Sequence, residues 1–276
     1  VLTPARTLTI AGSDSGGGAG IQADLRTFFA CGVHGMTALT AVTVQNSLGV
    51  TGVHTVPPEV VAAQIEAVAT DIGVQAAKTG MLATAAIIAA VAGACDRVHI
   101  GQTIPLVVDP VAASMHGDPL LAAEALDAIR TLLFPRATLV TPNLDEVRLI
   151  TGIDVRTRSQ QRDAAKALFD LGPLWVLVKG GHMRDDAECL DLLYDGSEFI
   201  ELVGPRYDVT DTHGSGDTLA SSITAALAKG NDVVSAVRLG KDFITRSVRA
   251  AYPLGSGVGP VSPLWRLPDA GSFFAP

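Results

Sequence analysis

Aromatic side chains are scarce in this chain: phenylalanine, tyrosine and tryptophan together make 5% of its 276 residues. With hydrophobic residues at 48%, the core must be filled mainly by Ala, Val, Leu and Ile. Charged residues are also few, at 17%, which fits a compact body with much buried surface. Positive charge is not in excess, because 20 Lys and Arg stand against 28 Asp and Glu for a formal net charge of −8. Generic nucleic-acid binding needs a basic footprint, so that class is excluded and only a local cationic pocket stays open. Cysteine occurs three times, at Cys31, Cys95 and Cys189, without a CxxC pair or metal-like spacing. Such thiols read as small buried groups in a reducing compartment. No apolar run reaches the length of a membrane span, and no charged-then-apolar leader opens the chain. A cytoplasmic protein with neither nucleic acid nor membrane as partner is expected.

What is present is alternation. Short β-rich runs at 8–11, 38–44, 76–78, 106–109, 138–141, 176–179 and 190–194 are separated by helical patterns. The helices are predicted at 21–31, 58–71, 85–92, 119–133, 144–151, 160–171, 215–229 and 233–251. Continuous apolar strands between helices predict an α/β fold, a three-layer α/β/α arrangement around a largely parallel sheet. One domain is expected over 1–276, with a core at 6–262 and a C-terminal tail at 263–276. The Gly- and Pro-rich stretch from Gly255 onward is expected to wrap the body and then fray. In open parallel sheets the binding crevice lies beyond the carboxyl ends of the strands, and the unusual residues cluster there.

Near the C-terminus the chain reads Asp211-Thr212-His213-Gly214-Ser215-Gly216-Asp217-Thr218 before a small apolar run. Two glycines and a serine open a helix whose first-turn amides form a cradle for phosphate oxygens. Asp217, inside that turn, could take the proton from an attacking hydroxyl, which suggests a small-molecule kinase; an ordinary N-terminal cap with a first-turn acid is the other reading. The run Gly12-Ser13-Asp14-Ser15-Gly16-Gly17-Gly18-Ala19-Gly20 follows a strand and contains G-x-G-x-x-A. No acid stands about twenty residues on to meet a ribose, and no Gly-Lys-Ser/Thr follows either glycine cluster. Rossmann and Walker sites are therefore disfavoured, and close approach of the loop backbone to a ligand is the better explanation. Asp24 and Gln45 are the polar groups assigned to substrate, since a carboxylate and an amide together read an amino-heterocycle edge; each alone is more often solvated. Asn143 and Glu146 either close a capping box or face the crevice and hold water around magnesium, with Asp109 assisting. Lys179, before Gly180-Gly181-His182, either neutralises nucleotide phosphates or decorates a surface turn. His182 and His213 are a possible pair, but no triad or zinc spacing is present.

Taken together these residues resemble the ribokinase superfamily, and within it the hydroxymethylpyrimidine/phosphomethylpyrimidine kinases of thiamine biosynthesis. The resemblance covers roughly residues 6–262 and rests on Thr9 through Asp24, Gln45-Asn46, Lys78-Thr79-Gly80-Met81, Thr141 through Glu146, Lys179 through His182, and 212–218. It implies a ribokinase-like fold and ATP-dependent phosphorylation of a pyrimidine alcohol and then of its monophosphate. It further implies a pyrimidine pocket at Gly12, Ala19, Asp24, Thr43, Gln45 and Met81, with Gln45 reading the ring and Met81 packing on it. Nucleotide positions correspond to Asp109, Asn143, Glu146 and Lys179, with magnesium near Glu146 and Asp109 through water. Gly214, Ser215 and Gly216 correspond to the anion hole and Asp217 to the base. Relatives are commonly homodimers, so a homodimer is expected. The alternative is a pyridoxal or pyridoxine kinase of the same superfamily; some relatives with that activity carry cysteine where Asp217 stands. Sugar kinases are disfavoured because no strand-rich insert is predicted near the start, and no further catalytic domain is expected after residue 262. The 114–118 stretch is the expected closing loop.

Overall fold

The computed structural model describes residues 2–112, 122–181 and 188–267. Along the first half run β1 (Arg6–Ser13), α1 (Gly20–Ala30), β2 (His34–Asn46), β3 (Gly49–Thr55), α2 (Pro58–Asp71), β4 (Ala76–Thr79), α3 (Ala85–Arg97) and β5 (Leu106–Val108). There follow α4 (Ala123–Ala128), β6 (Leu139–Val140), α5 (Leu144–Thr151), α6 (Arg158–Phe169), β7 (Val176–Val178), β8 (Glu188–Tyr194), β9 (Phe199–Pro205), α7 (Ser215–Ala228) and α8 (Val233–Arg249). Nine strands form one sheet in the order β3-β2-β1-β4-β5-β6-β7-β8-β9. From β2 to β7 the neighbours are parallel, and an antiparallel strand pair closes each side.

Alternation along the strands sorts the two layers of helices. Leu8, Ile10, Ala77, Val108, Val140 and Val178 point to the face covered by α2, α3 and α6. Ala76, Val107, Leu139 and Leu177 point the other way, against Leu219, Ala220 and Ile223 of α7 and Val237 of α8. By the same period of two, Thr9 and Lys78 lie on the α7 face, where they are fully buried. Helix boundaries follow local chemistry. Thr84 caps α3 by accepting from Ile87 N at 3.2 Å, and Gly152 ends α5 at φ +77°. The strand order reverses between β1 and β4, so the loops leaving those two strands open a crevice at the switch point.

Two strands escape the sequence pattern. Residues 49–55 form β3, whose exposed residues and two glycines give no apolar period, and 199–205 form β9 at the opposite edge. The expectation of no strand-rich insert near the start is thereby corrected, because β2 and β3 make an antiparallel hairpin turning at Ser47-Leu48. The helix expected at 119–133 begins at Ala123 in its described part and continues through a π turn at Ile129–Leu133. The segment after Tyr252 does wrap the body. Val261 N donates to His213 O at 3.1 Å, Val258 N to Ser47 O at 3.0 Å, and Arg266 Nε to Ala30 O at 3.0 Å. Among the described residues no helix is long and apolar enough to cross a membrane.

Candidate active site

Helix α7 starts at the carboxyl edge of the sheet with Gly214 as its N-cap, at φ +73° and without a side chain to cap the first turn. Glycine is required there: a Cβ would lie 2.0 Å from Gly18 O. The turn is held from outside instead, by His213 N donating to Gly259 O at 3.1 Å. First-turn amides left without a capping side chain, at the positive end of a long buried helix, favour an anion. Gly216 completes the approach, since a Cβ on it would sit 3.3 Å from Asp109 Oδ2 and 3.4 Å from Lys179 Nζ. Asp217 follows with its side chain 16% exposed, beside Lys179, whose side chain is 15% exposed.

Around it lie two lysines and three further carboxylates. Lys78 Nζ donates to Asp24 Oδ1 at 2.7 Å and reaches Asp217 Oδ1 at 3.4 Å. Lys179 Nζ donates to Asp109 Oδ1 at 3.0 Å and lies 4.0 Å from Glu146 Oε2. Thr141 Oγ1 donates to Asp109 Oδ1 at 3.0 Å. The capping box of α5 is made: Asn143 Oδ1 accepts from Glu146 N at 2.9 Å, and Glu146 Oε2 accepts from Asn143 N at 2.7 Å. Capping does not compete with a crevice position, because the same bonds hold Glu146 beside Lys179. Glu146 Oε1 also accepts from Ala112 N at 3.2 Å, after Val111, which takes the left-handed φ of +45°.

Burial pushes the Asp217 carboxyl up and Lys78 pulls it back; with Asp24 and Asp109 pushing up again, the balance stands at about 6. Glu146 is pushed up by burial, lowered by Lys179 and raised by Asp109, to about 7. Burial alone would lower the Lys179 ammonium, but Asp109 and Glu146 outweigh it and hold it above its usual range. Asp217 thus ionises close to neutral pH, the property a general base needs.

On the other side of the Gly214 turn, the β1–α1 loop is organised by Asp14. Its Oδ1 accepts from Gly16 N at 2.8 Å, and its Oδ2 accepts from Gly18 N at 2.9 Å and Ala19 N at 2.8 Å. His213 Nε2 donates to the same Oδ2 at 3.0 Å and stands 3.4 Å from the Gln45 side-chain nitrogen. Thr43 Oγ1 donates to Ser13 O at 2.7 Å and lies 3.1 Å from Gln45 Oε1. Met81 packs over Gly12, where a Cβ would lie 2.6 Å from Met81 Cε. A cavity of about 290 Å³ adjoins this group, lined by Asp14, Gly18, Asn46, His213, Leu254 and Val258 among others.

The structure therefore brings Gly214–Asp217, Asp109, Asn143, Glu146 and Lys179 to one edge, and beside it Gly12 and Ala19 at the end of β1 and in the loop after it, Thr43 and Gln45 at the end of β2, and Met81 after β4. Asp24 is a correction. It is fully buried, with Oδ1 accepting from Lys78 and from Ser221 Oγ at 2.6 Å, and Oδ2 from Thr9 Oγ1 at 2.6 Å. A carboxylate so committed faces protein, not an amino-heterocycle. Three residues central to the geometry were not singled out as site residues: Lys78, Asp14 and His213. Lys78 carried a signal, a charge in an otherwise apolar strand, whereas Asp14 was hidden among loop glycines. His182 and the 114–118 stretch lie outside the described residues.

Residues 14–262 match the phosphomethylpyrimidine kinase family. A hydroxymethylpyrimidine/phosphomethylpyrimidine kinase of Mycobacterium tuberculosis is 62% identical over 266 residues, 96% of each chain. The ADP complex of a pyridoxal kinase from Bacillus subtilis superposes with a TM-score of 0.88 at 37% identity, covering 96% of this chain and 100% of that one. A phosphomethylpyrimidine kinase from Clostridium difficile gives 0.78 at 40% identity, covering 88% and 99%. Both neighbours share the three-layer, mostly parallel ribokinase-like fold.

The tight seat of Gly214 against Gly18 yields a first expectation. Gly214→Ala should lower the unfolding free energy by about 1–3 kcal/mol in a urea titration. An alanine variant as stable as the parent would mean that the two glycine loops are not packed this closely.

Proposed function

The chain belongs to the phosphomethylpyrimidine kinase family, and on that footing we propose that it uses ATP to phosphorylate 4-amino-5-hydroxymethyl-2-methylpyrimidine and then the monophosphate, giving the diphosphate for thiamine biosynthesis. The observation that carries this reading is the placement of Asp217 in the first turn of α7, just past the uncapped Gly214 and 3.4 Å from Lys78 Nζ. In the first step the acceptor hydroxyl attacks the γ-phosphorus, its proton passes to Asp217, and the bond to the ADP oxygen breaks. Amides of Gly214, Ser215 and Gly216 receive the charge on the transferred group. In the second step the nucleophile is a phosphate oxygen already ionised near pH 7, so positioning and charge neutralisation dominate.

Lys179 is suited to neutralise nucleotide phosphates, with Asp109 and Asn143 beside it. Four carboxylates against two ammonium groups leave the cluster negative, a poor seat for a polyphosphate alone and a good one for a divalent cation bridging to it. Among the described residues no three acids, histidines or cysteines converge to cage a metal. That fits magnesium, which keeps its waters and takes one or two carboxylates, here Glu146 and Asp109. Bound magnesium would supply charge compensation between the phosphates. On the acceptor side, Gln45 reads the ring edge, with Gly12, Ala19, Thr43 and Met81 shaping the wall. The whole chain is read as one kinase unit; its three unbridged cysteines support a cytoplasmic setting.

The substrate assignment is tested by ADP release with hydroxymethylpyrimidine and with pyridoxine. The pyrimidine should have the higher kcat/KM, and Gln45→Ala should harm it more than the pyridine; a preference for pyridoxine would overturn the assignment in favour of a pyridoxal-type kinase.

The base is tested by Asp217→Asn at saturating ATP. Phosphorylation of the alcohol should fall about 10²–10⁴-fold and that of the monophosphate far less. In the parent, the alcohol rate should decline as pH drops through about 6, where Asp217 gains its proton. Equal losses in the two steps would remove the base from this account.

A homodimer is proposed from the β2–β3 hairpin. Val42, Val44, Val50 and Val53 are 45–63% exposed, and β3 is an outer strand carrying no charged side chain, the kind of edge that invites pairing. Sedimentation should give a dimer for the parent and a monomer for Val44→Asp with Val53→Asp; a monomeric parent would refute it.

A further inference from the structure

Lys78 occupies a position that an apolar residue would normally fill. It lies in β4 on the α7 face of the sheet, two residues after Ala76 and level with Val107 of β5, and it has no solvent exposure. A buried ammonium is costly unless paired, and Asp24 alone would pair it. Asp24 is itself immobilised, because Thr9 and Ser221 occupy it from β1 and α7 at 2.6 Å each. The lysine is therefore anchored on one side by a 2.7 Å bond, and from that anchor it reaches across to Asp217 Oδ1 at 3.4 Å. Burial disfavours its charge, but Asp24, Asp217 and Asp109 outweigh burial and keep it protonated. Gly80 lies alongside the pair: a Cβ on it would come 3.7 Å from Lys78 Nζ and 3.8 Å from Asp217 Oδ1.

We propose that Lys78 is the positioning residue of the base: its anchored ammonium holds Oδ1 of Asp217 and so presents Oδ2 to the acceptor hydroxyl. This rests on the reading of Asp217 as base. The acceptor O–H bond breaks as its oxygen bonds to phosphorus, the proton ends on Asp217 Oδ2, and the electron pair of the broken P–O bond leaves with ADP. Lys78 keeps its own proton throughout. The monophosphate brings an ionised oxygen and has no proton to lose, so the proposal separates the two steps.

The experiment measures both phosphorylations and thermal melting in Lys78→Met/Asp24→Asn, which removes the buried pair as a unit, and in Asp217→Asn. The double variant should stay folded and lose about tenfold to a hundredfold in kcat with the alcohol, at unchanged KM, while the monophosphate step is retained. Parent-like kcat with the alcohol, or equal loss in both steps, overturns the role of Lys78. If Asp217→Asn impairs the alcohol step and the double variant does not, only the lysine proposal fails; if Asp217→Asn spares that step, the base itself is wrong. Should the double variant not fold, Lys78→Arg decides: it keeps the charge for Asp24 but displaces Asp217, and a selective loss with the alcohol supports the proposal while parent-like rates reject it.

Discussion

Charge buried at the carboxyl edge of an aliphatic sheet is the constraint on which the remaining architecture turns. Asp24 and Lys78 have no contact with water, and Asp109 and Glu146 have almost none. Each would be severely destabilising alone. Their coexistence requires that β1, β4, β5, β6, α1 and α7 arrive in register, because the partners come from β1 (Thr9), β4 (Lys78), the residues directly after β5 and β6 (Asp109 and Thr141), α1 (Asp24) and α7 (Ser221). The parallel ladder from β2 to β7 is what delivers these strand ends to one level.

From that constraint the chemistry follows. An aspartate surrounded by three other carboxylates and two ammonium groups is pushed up to about 6 by burial, against the pull of Lys78. The two lysines are what permit the acids to be buried. Both glycine-rich loops serve this edge. Gly18 and Gly214 let two backbones touch, and Asp14 orders its loop through three amides and His213. The histidine thereby links the β1–α1 loop to the residue directly before the Gly214 N-cap of α7.

Sequence legibility tracked the source of order. Strands of the central sheet were readable because burial on both faces leaves uninterrupted apolar runs, as in Leu106-Val107-Val108 and Val176-Leu177-Val178. The edge strands β3 and β9 were not, since exposed edges impose no pattern: Gly49–Thr55 carries glycine and polar residues that suit a turn equally well. For the site, residues in contiguous motifs such as Gly214–Asp217 and Asn143–Glu146 could be named from local spacing alone. Asp24 was legible as unusual but not as to its direction, because a helix residue's face toward core or crevice depends on what packs over it.

The amino-acid order by itself determined the alternation of elements, the glycines of the two glycine-rich loops, the capping box of α5 and the acid in the first turn of α7. These depend on interactions within a few residues, where propensity, capping and backbone freedom decide. Tertiary structure alone decided that Lys78 pairs with Asp24 fifty-four residues away and touches Asp217 from beneath, and that Asp14 grips His213 across 199 residues. Ionic pairing of this kind depends on distance and dielectric after folding, and neither quantity is encoded in local sequence.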